Sequence, residues 1–151
     1  MVHGSLAALL MVALFAPVLL TFSQPAAAQD EEIIVGLITK TETNPFFVKM
    51  KEGAQAAADA AGATLLTGAG ATDADNAGQT AALENMVTAG AQGILITPGD
   101  TKAIVPAIAK AREQGVLIIA LDTPTDPMDA TDALFATDNF KAGLLIGQRV
   151  A

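Results

Sequence analysis

Short, uninterrupted apolar runs alternate with helical segments along most of this chain. The first run, residues 32–38, is too short for a helix and is rich in β-branched residues at its start, which is typical of a strand that is covered on both faces. Helical periodicity follows, and a glycine ends each of the first three helical segments. The predicted strands are 32–38, 63–67, 93–97, 116–121 and 134–137, and the predicted helices are 45–61, 77–89, 101–114 and 139–151.

This alternation predicts an α/β fold, with a parallel sheet and helices on both of its faces. The first helix has the clearest local signals, because Asn44 suits an N-cap, Pro45 suits the first helical position and Gly62 suits a helix end. In the third helix, Pro106 is expected to kink or delay the first turn. The length of 151 residues is that of one domain of ordinary size.

Charge and residue types exclude several classes of function. The chain carries 8 basic and 16 acidic residues, and its net charge of −8 disfavours binding to nucleic acids and anionic lipids. It has no cysteine, and its single histidine, His3, lies in a segment that we expect to be removed. These absences exclude a cysteine nucleophile, a thiolate metal site and a histidine-based triad. Much hydrolytic and metal chemistry is thus excluded. We expect no enzymatic turnover, no metal and no other cofactor.

The N-terminal segment predicts export from the cytoplasm. Residues 6–22 carry no charge, and Ala26 and Ala28 then follow at the spacing of a signal-peptidase site. We expect a signal peptide of residues 1–28 and a mature chain that begins at Gln29. Two alternatives stay open, an uncleaved membrane anchor and a start codon assigned upstream of the true one, because the region before the apolar segment contains neither lysine nor arginine.

Polar side chains follow every predicted strand. In a parallel sheet of this class, ligands bind beyond the carboxyl ends of the strands, where the strand order reverses. The polar segments at these ends are 39–47, 73–76, 97–100, 122–124 and 137–139. Asparagine and aspartate are also common in turns and caps, so this enrichment alone is equally compatible with a structural role.

The side chains at this edge favour a neutral polyol as the ligand. A phosphate loop at 68–71 is disfavoured because the later Gly, Lys and Ser/Thr are missing, and a calcium site at 73–76 is disfavoured because no bidentate glutamate follows. Carboxylates and amides can pair with sugar hydroxyls, and these hydrogen bonds are stronger when one partner is charged. Phe46 could lie against sugar C–H groups, whereas Phe47 fits the buried stripe of the first helix.

Four motifs resemble those of type I periplasmic sugar-binding proteins, in the fructose- and ribose-binding branch of ABC importers. They are TNPFFVKMKEGA at 43–54, ILITP at 94–98, LDT at 121–123 and ATDNFKAG at 136–143, in the family's order and at suitable separations. The resemblance implies that the protein captures a monosaccharide in the periplasm and delivers it to the membrane permease of an ABC importer. The implied ligand-binding residues are Lys40, Asn44, Phe46, Phe47, Thr97, Asp122 and Thr137.

In the implied site, Asp122 and Asn44 anchor the sugar and the two phenylalanines stack on it. Two positions differ from the ribose binders, since Thr123 follows Asp122 where arginine is usual and Lys40 stands where a smaller polar residue is common. Both departures argue against ribose itself.

The resemblance also implies a domain organisation. Family members close two similar lobes on one sugar; residues 29–138 correspond to the N-terminal lobe, and residues 139–151 to the start of a second lobe. One lobe supplies half a site, so we expect weak sugar binding or none from this chain alone. We also expect marginal stability or self-association. The reason is a helical stripe with no sheet of its own to cover, formed by Leu144, Leu145, Ile146 and Val150.

Three other functions stay open. A DNA-binding sugar repressor shares the lobe architecture, but it would need a basic helix-turn-helix before the first strand. A response-regulator-like domain could use Asp122 as a phospho-acceptor, but Lys40 follows the first strand where such a domain has acidic metal ligands. A truncated lobe that no longer binds sugar would have only a structural or interaction role.

Overall fold

Five parallel strands form one sheet in the order β2-β1-β3-β4-β5. The computed structural model describes residues 32–150, so the predicted signal peptide lies outside the described residues. The strands are β1 Ile34–Thr39, β2 Thr64–Ala69, β3 Gly93–Ile96, β4 Leu117–Leu121 and β5 Ala133–Phe135. The helices are α1 Pro45–Ala61, α2 Asn76–Thr88, α3 Val105–Glu113 and α4 Asn139–Val150. The predicted α/β class with a parallel sheet is confirmed.

Capping interactions define α1 as the sequence predicts. The Asn44 side-chain oxygen accepts a hydrogen bond from the Phe46 backbone N–H at 3.0 Å, which satisfies one of the free donors of the first turn. Gly62 follows the helix with φ 68°, in the left-handed region that glycine adopts without steric cost. The predicted start and end of this helix are both confirmed.

The third helix begins later than the periodicity predicts. Residues 101–104 form turns, in which the Asp100 carboxylate accepts two backbone N–H groups, and α3 starts at Val105. Pro106 lies in the first turn of α3, where its missing N–H and restricted φ are both tolerated. The proline therefore delays the helix, and the predicted start at residue 101 is wrong.

Helices cover the two faces of the sheet unequally. On one face, α2 and α3 pack over a core that includes Ile94, Ile108 and Ile118. Gly36 of β1 faces this side, where an added Cβ would lie 2.6 Å from the sulfur of Met86 in α2. The close approach of α2 to β1 therefore requires a residue without a side chain at this position.

On the opposite face of the sheet, α1 is the one helix of residues 32–150 that packs against the strands. An apolar groove of about 350 Å³ lies between α1 and the strands, and Val35, Leu95 and Ile119 are among the residues that line it. Leu117, at the same groove, is 51% exposed. Helices on both faces are thus confirmed, but this face keeps a large part of its apolar surface in contact with solvent.

The last helix is amphipathic and exposed. Phe140 is 85% exposed and Val150 is 82% exposed, and α4 contains no buried residue. Leu144, Leu145 and Ile146 of the predicted apolar stripe are likewise more than half exposed. Within residues 32–150, no helix combines the length and the apolar character that a membrane crossing requires.

Candidate functional site

A pocket at the carboxyl edge of the sheet brings together three of the seven predicted ligand-binding residues. Phe46 comes from the first turn of α1, Asp122 from the end of β4 and Thr137 from the segment after β5. The pocket has a volume of about 400 Å³, and we call it the Asp122 pocket. Its complete lining is Phe46, Met50, Leu121, Asp122, Phe135, Ala136 and Thr137.

Asp122 lies in a strained backbone conformation. Its φ is 61°, in the left-handed region, which costs energy for residues with a Cβ atom but which aspartate tolerates better than most. The Thr123 N–H donates to the Leu121 carbonyl at 2.6 Å and closes a three-residue turn around Asp122. Strain of this kind persists where the surrounding structure holds it, and it is concentrated at functional sites.

Two further hydrogen bonds hold this turn. The Asp122 N–H donates to the Phe135 carbonyl at 2.9 Å, and the Thr123 hydroxyl donates to a carboxylate oxygen of Asp122 at 3.4 Å. The Asp122 carboxylate is half-buried in the wall of the pocket. It is thus held beside Thr137 as a hydrogen-bond acceptor.

The two adjacent phenylalanines have different environments. Phe46 is 53% exposed at the Asp122 pocket, whereas Phe47 is 6% exposed and lies on the β1–β2 side with Leu37 and Thr67. Their rings meet edge to face, with centroids 5.4 Å apart and an interplanar angle of 67°. The Phe46 ring is therefore exposed at the pocket, and the buried Phe47 ring packs against it.

The other predicted residues lie outside the lining of this pocket. Asn44 is exposed, and its side-chain oxygen already caps α1. Thr97 is fully buried, and its hydroxyl donates to the sulfur of Met50 at 3.7 Å, so it contacts a residue of the pocket wall. Lys40 is half-buried directly after β1. The assignment of all seven residues to a sugar site stays a prediction.

Gln79, in α2, is a residue at this edge that the sequence analysis did not identify. It is 1% exposed, and its side-chain amide donates to the carbonyls of Thr39 and Thr97, each at 2.9 Å. Its side-chain oxygen accepts the Gly99 N–H at 2.8 Å. The sequence carries no signal for this role, because a glutamine within a helix is ordinarily exposed.

The Asp75 carboxylate has a structural role in the loop before α2. One oxygen accepts the Ala71 N–H and the other accepts the Gly78 N–H, each at 2.9 Å, and these bonds lower the pKa of Asp75. Both oxygens thus have backbone donors. Over residues 32–150, no group of three or more His, Cys, Asp or Glu side chains is placed to hold a metal ion.

Comparison with known proteins finds relatives that are all periplasmic or sugar-binding proteins. The model of the periplasmic binding protein domain matches residues 35–151. The ribose import binding protein RbsB of Bacillus subtilis is 30% identical over 127 residues, which are 83% of this chain and 40% of that protein. The D-ribose/D-allose-binding protein of Pseudomonas aeruginosa is 30% identical over 139 residues, 87% of this chain and 44% of that protein. The chain thus spans less than half the length of these curated relatives.

Solved structures agree with these matches. A solute-binding protein of an ABC transporter from Agrobacterium vitis, with bound D-fucose, has 31% identity and a TM-score of 0.68, and the match covers 77% of this chain and 41% of that one. A solute-binding protein from Actinobacillus succinogenes, with bound D-allose, has 28% identity and a TM-score of 0.68, over 76% and 42%. The predicted resemblance to sugar-binding proteins of ABC importers is confirmed, and the chain belongs to the periplasmic binding protein family.

Proposed function

We propose that this chain is the N-terminal lobe of a sugar-binding protein that captures a neutral monosaccharide and delivers it to the membrane permease of an ABC importer. The Asp122 pocket is the observation that carries the proposal. At the carboxyl edge of a parallel sheet, where ligands of such sheets bind, it combines a carboxylate, an exposed aromatic ring and a hydroxyl.

Together these groups suit a sugar better than an anionic ligand. The Asp122 carboxylate can accept hydrogen bonds from two neighbouring hydroxyls, and Thr137 can donate one or accept one. The ring of Phe46 covers the apolar C–H face of a sugar. A phosphorylated or otherwise anionic ligand would be repelled by Asp122 and by the net charge of −8.

The relatives support the same ligand class. Two are named for ribose or for ribose and allose, and the two solved structures hold D-fucose and D-allose. Ligand capture without turnover fits these names, so we propose a binding protein and not an enzyme. We further propose that residues 1–28 direct export to the periplasm, that residues 29–138 form the lobe and that residues 139–151 begin a second lobe.

A nuclear magnetic resonance titration tests the proposal, because it detects weak binding to half a site. The isotope-labelled chain is titrated with D-ribose, D-allose and D-fucose, and with an amino acid and a nucleotide as comparison ligands. We expect a sugar to shift the backbone signals of Phe46, Asp122 and Thr137. Shifts with the amino acid or the nucleotide, and with no sugar, would contradict the proposal.

Asp122→Asn and Asp129→Asn form a matched pair for this titration. Both remove one negative charge, but Asp129 is exposed and does not line the pocket. Asparagine also tolerates the left-handed backbone of Asp122. We expect weaker sugar shifts only from Asp122→Asn, because it replaces a charged acceptor by a neutral one.

A further inference from the structure

We infer that Gln79 is a positioning residue for the sugar site. Its side chain connects the ends of β1 and β3, which separate at this edge of the sheet, and so fixes the segments that follow them. This inference rests on the proposed sugar-binding function. The three side-chain hydrogen bonds of Gln79 reach Thr39, Thr97 and Gly99, which do not line the Asp122 pocket. Gln79 acts on the backbone segments that carry Lys40, Asn44 and Thr97.

The sheet topology creates the need for such a residue. The strand order reverses at β1, since β2 lies on one side of it and β3 on the other. The last backbone bond between β1 and β3 is the Thr97 N–H to the Ile38 carbonyl at 2.8 Å. Beyond it, β1 continues towards α1 on one face of the sheet, and β3 continues towards α3 on the other. The carbonyls of Thr39 and Thr97 therefore leave the ladder at the point where ligands of this class of sheet bind.

Gln79 supplies the missing partners from α2. Its amide group has two N–H donors, and the two strand-end carbonyls accept one each, at 2.9 Å. The side-chain oxygen takes the Gly99 N–H at 2.8 Å, which adds the turn after β3 to the same network. All three bonds are made by a side chain that is 1% exposed, where an unpaired polar group is costly.

Gly99 is tightly packed between the Gln79 side chain and the backbone of Asp73. A Cβ added at Gly99 would lie 2.4 Å from the Asp73 carbonyl oxygen and 3.3 Å from the side-chain oxygen of Gln79. The turn after β3 thus lies between the loop that precedes α2 and the Gln79 amide.

The segments that Gln79 holds are those of the predicted sugar contacts. Thr39 directly precedes Lys40 and the loop that leads to Asn44. Thr97 contacts Met50 of the pocket wall through its hydroxyl. A small displacement of these segments would change several ligand contacts at once, and binding sites lose affinity when their supporting residues allow such displacement.

Two buried residues of α2 give a matched comparison. Gln79→Met keeps the length of the side chain and removes every hydrogen bond, whereas Leu83→Ala removes only core packing one turn later in the same helix. Leu83→Ala is expected to destabilise the fold at least as much, because it leaves a cavity. A role in stability alone would thus give Leu83→Ala the larger loss of sugar affinity.

The first readout is backbone hydrogen exchange without sugar. In Gln79→Met, we expect the Gly99 amide to exchange about tenfold faster or more, with chemical-shift changes in residues 39–46, because its acceptor is lost. Leu83→Ala should leave these signals near their wild-type values. Gly99→Ala disturbs the same hydrogen bond, between the Gly99 N–H and the Gln79 side-chain oxygen, from the Gly99 side. It should reproduce the chemical-shift changes of Gln79→Met, and it replaces that variant in the test if Gln79→Met does not fold.

The second readout is the sugar titration. We expect Gln79→Met to raise the sugar dissociation constant about tenfold, and Leu83→Ala to change it much less. Unchanged Gly99 exchange in Gln79→Met, or an equal loss of affinity in Leu83→Ala, would overturn the inference. A wild-type chain that responds to the amino acid or the nucleotide, and to no sugar, would instead contradict the proposed function, and the exchange result would still decide whether Gln79 holds this edge.

Discussion

The Asp122 N–H donates to the Phe135 carbonyl at 2.9 Å, so β4 and β5 stay paired up to the residue at which the chain enters its left-handed turn. This single bond connects the position of the Asp122 carboxylate to the last strand of the sheet. Because Thr137 follows Phe135 by two residues, the same bond also sets where the hydroxyl and the carboxylate of the pocket lie relative to each other. The geometry of the pocket thus depends on the pairing of β5 with β4.

Asp122→Ala should cost about 2–5 kcal/mol of sugar binding, because buried sugar hydroxyls would lose a charged partner. Alanine at φ 61° is also strained, so the free energy of unfolding should fall as well. Asp122→Asn separates the two effects, since it keeps the fold and removes only the charge. Titration and urea denaturation of both variants measure them. Equal affinities in wild type and Asp122→Ala would exclude Asp122 as a ligand contact.

Phe46→Ala should mainly weaken sugar binding, whereas Phe47→Ala should mainly lower the stability of the fold. Truncation of the buried Phe47 should lower the free energy of unfolding by about 3–5 kcal/mol. Truncation of the exposed Phe46 should lower it by only about 0.5–1.5 kcal/mol, the value of an edge-to-face pair, but should weaken sugar binding. Denaturation and titration of each variant test this. A larger loss of affinity in Phe47→Ala at temperatures where it stays folded would reverse our assignment.

The stability of the chain should fall in acid through Asp132. Its carboxylate accepts the Ile118 N–H at 2.8 Å and two bonds from Arg112, and these bonds hold the pKa of Asp132 below its ordinary value of 3.8. Because the folded pKa is lowered, the stabilisation is present above pH 3.8 and is lost as the pH falls through the folded value. Its size is on the order of 1 kcal/mol, since the pair is partly exposed.

Denaturation at a series of acidic pH values tests this dependence. Asp132→Asn should lower the free energy of unfolding at neutral pH and should flatten its decline in acid. Asp129→Asn serves as the control, because it removes a carboxylate that is exposed. The expectation would be wrong if both variants retained the same acid dependence as the wild type.

Export should remove the first 28 residues. Ala26 and Ala28 provide the small side chains that signal peptidase requires, so the mature chain should begin at Gln29. N-terminal sequencing of the protein recovered from the periplasm measures the cleavage site. Ala28→Lys should block cleavage. Ala27→Lys is the control and should leave cleavage intact, because residue 27 lies between the two recognised positions. Recovery of the uncleaved wild-type chain from the cytosol would contradict the prediction.

The chain should self-associate in solution. Leu117, Ile119 and the apolar residues of α4 are incompletely covered, and burial of a side chain of this size is worth about 1.5–3 kcal/mol. Sedimentation over a range of protein concentrations measures the association. Leu117→Lys should reduce it, and Val48→Lys on α1 is the surface control. A stable wild-type monomer with micromolar sugar affinity would show that the uncovered surface matters far less than we expect.

Local signals explain how much of the fold could be predicted. The apolar runs identified all five strands, and Asn44 and Gly62 identified the ends of α1, because capping depends on residues within one turn. The periodicity also separated Phe46 from Phe47, since a period of 3.6 residues decides which side of a helix is buried. It failed at the start of α3, where helical spacing continued through residues that the structure uses as turns.

What the sequence alone determined is therefore the order of the elements and the end of the sheet at which polar residues gather. The tertiary structure decided which of those residues meet. Gln79 bonds to carbonyls 40 and 18 residues away, and Asp122 adopts its left-handed turn next to a strand that follows it in the chain. Neither arrangement has a local sequence signal, because each depends on backbone groups that only the pairing of the strands brings within hydrogen-bond distance.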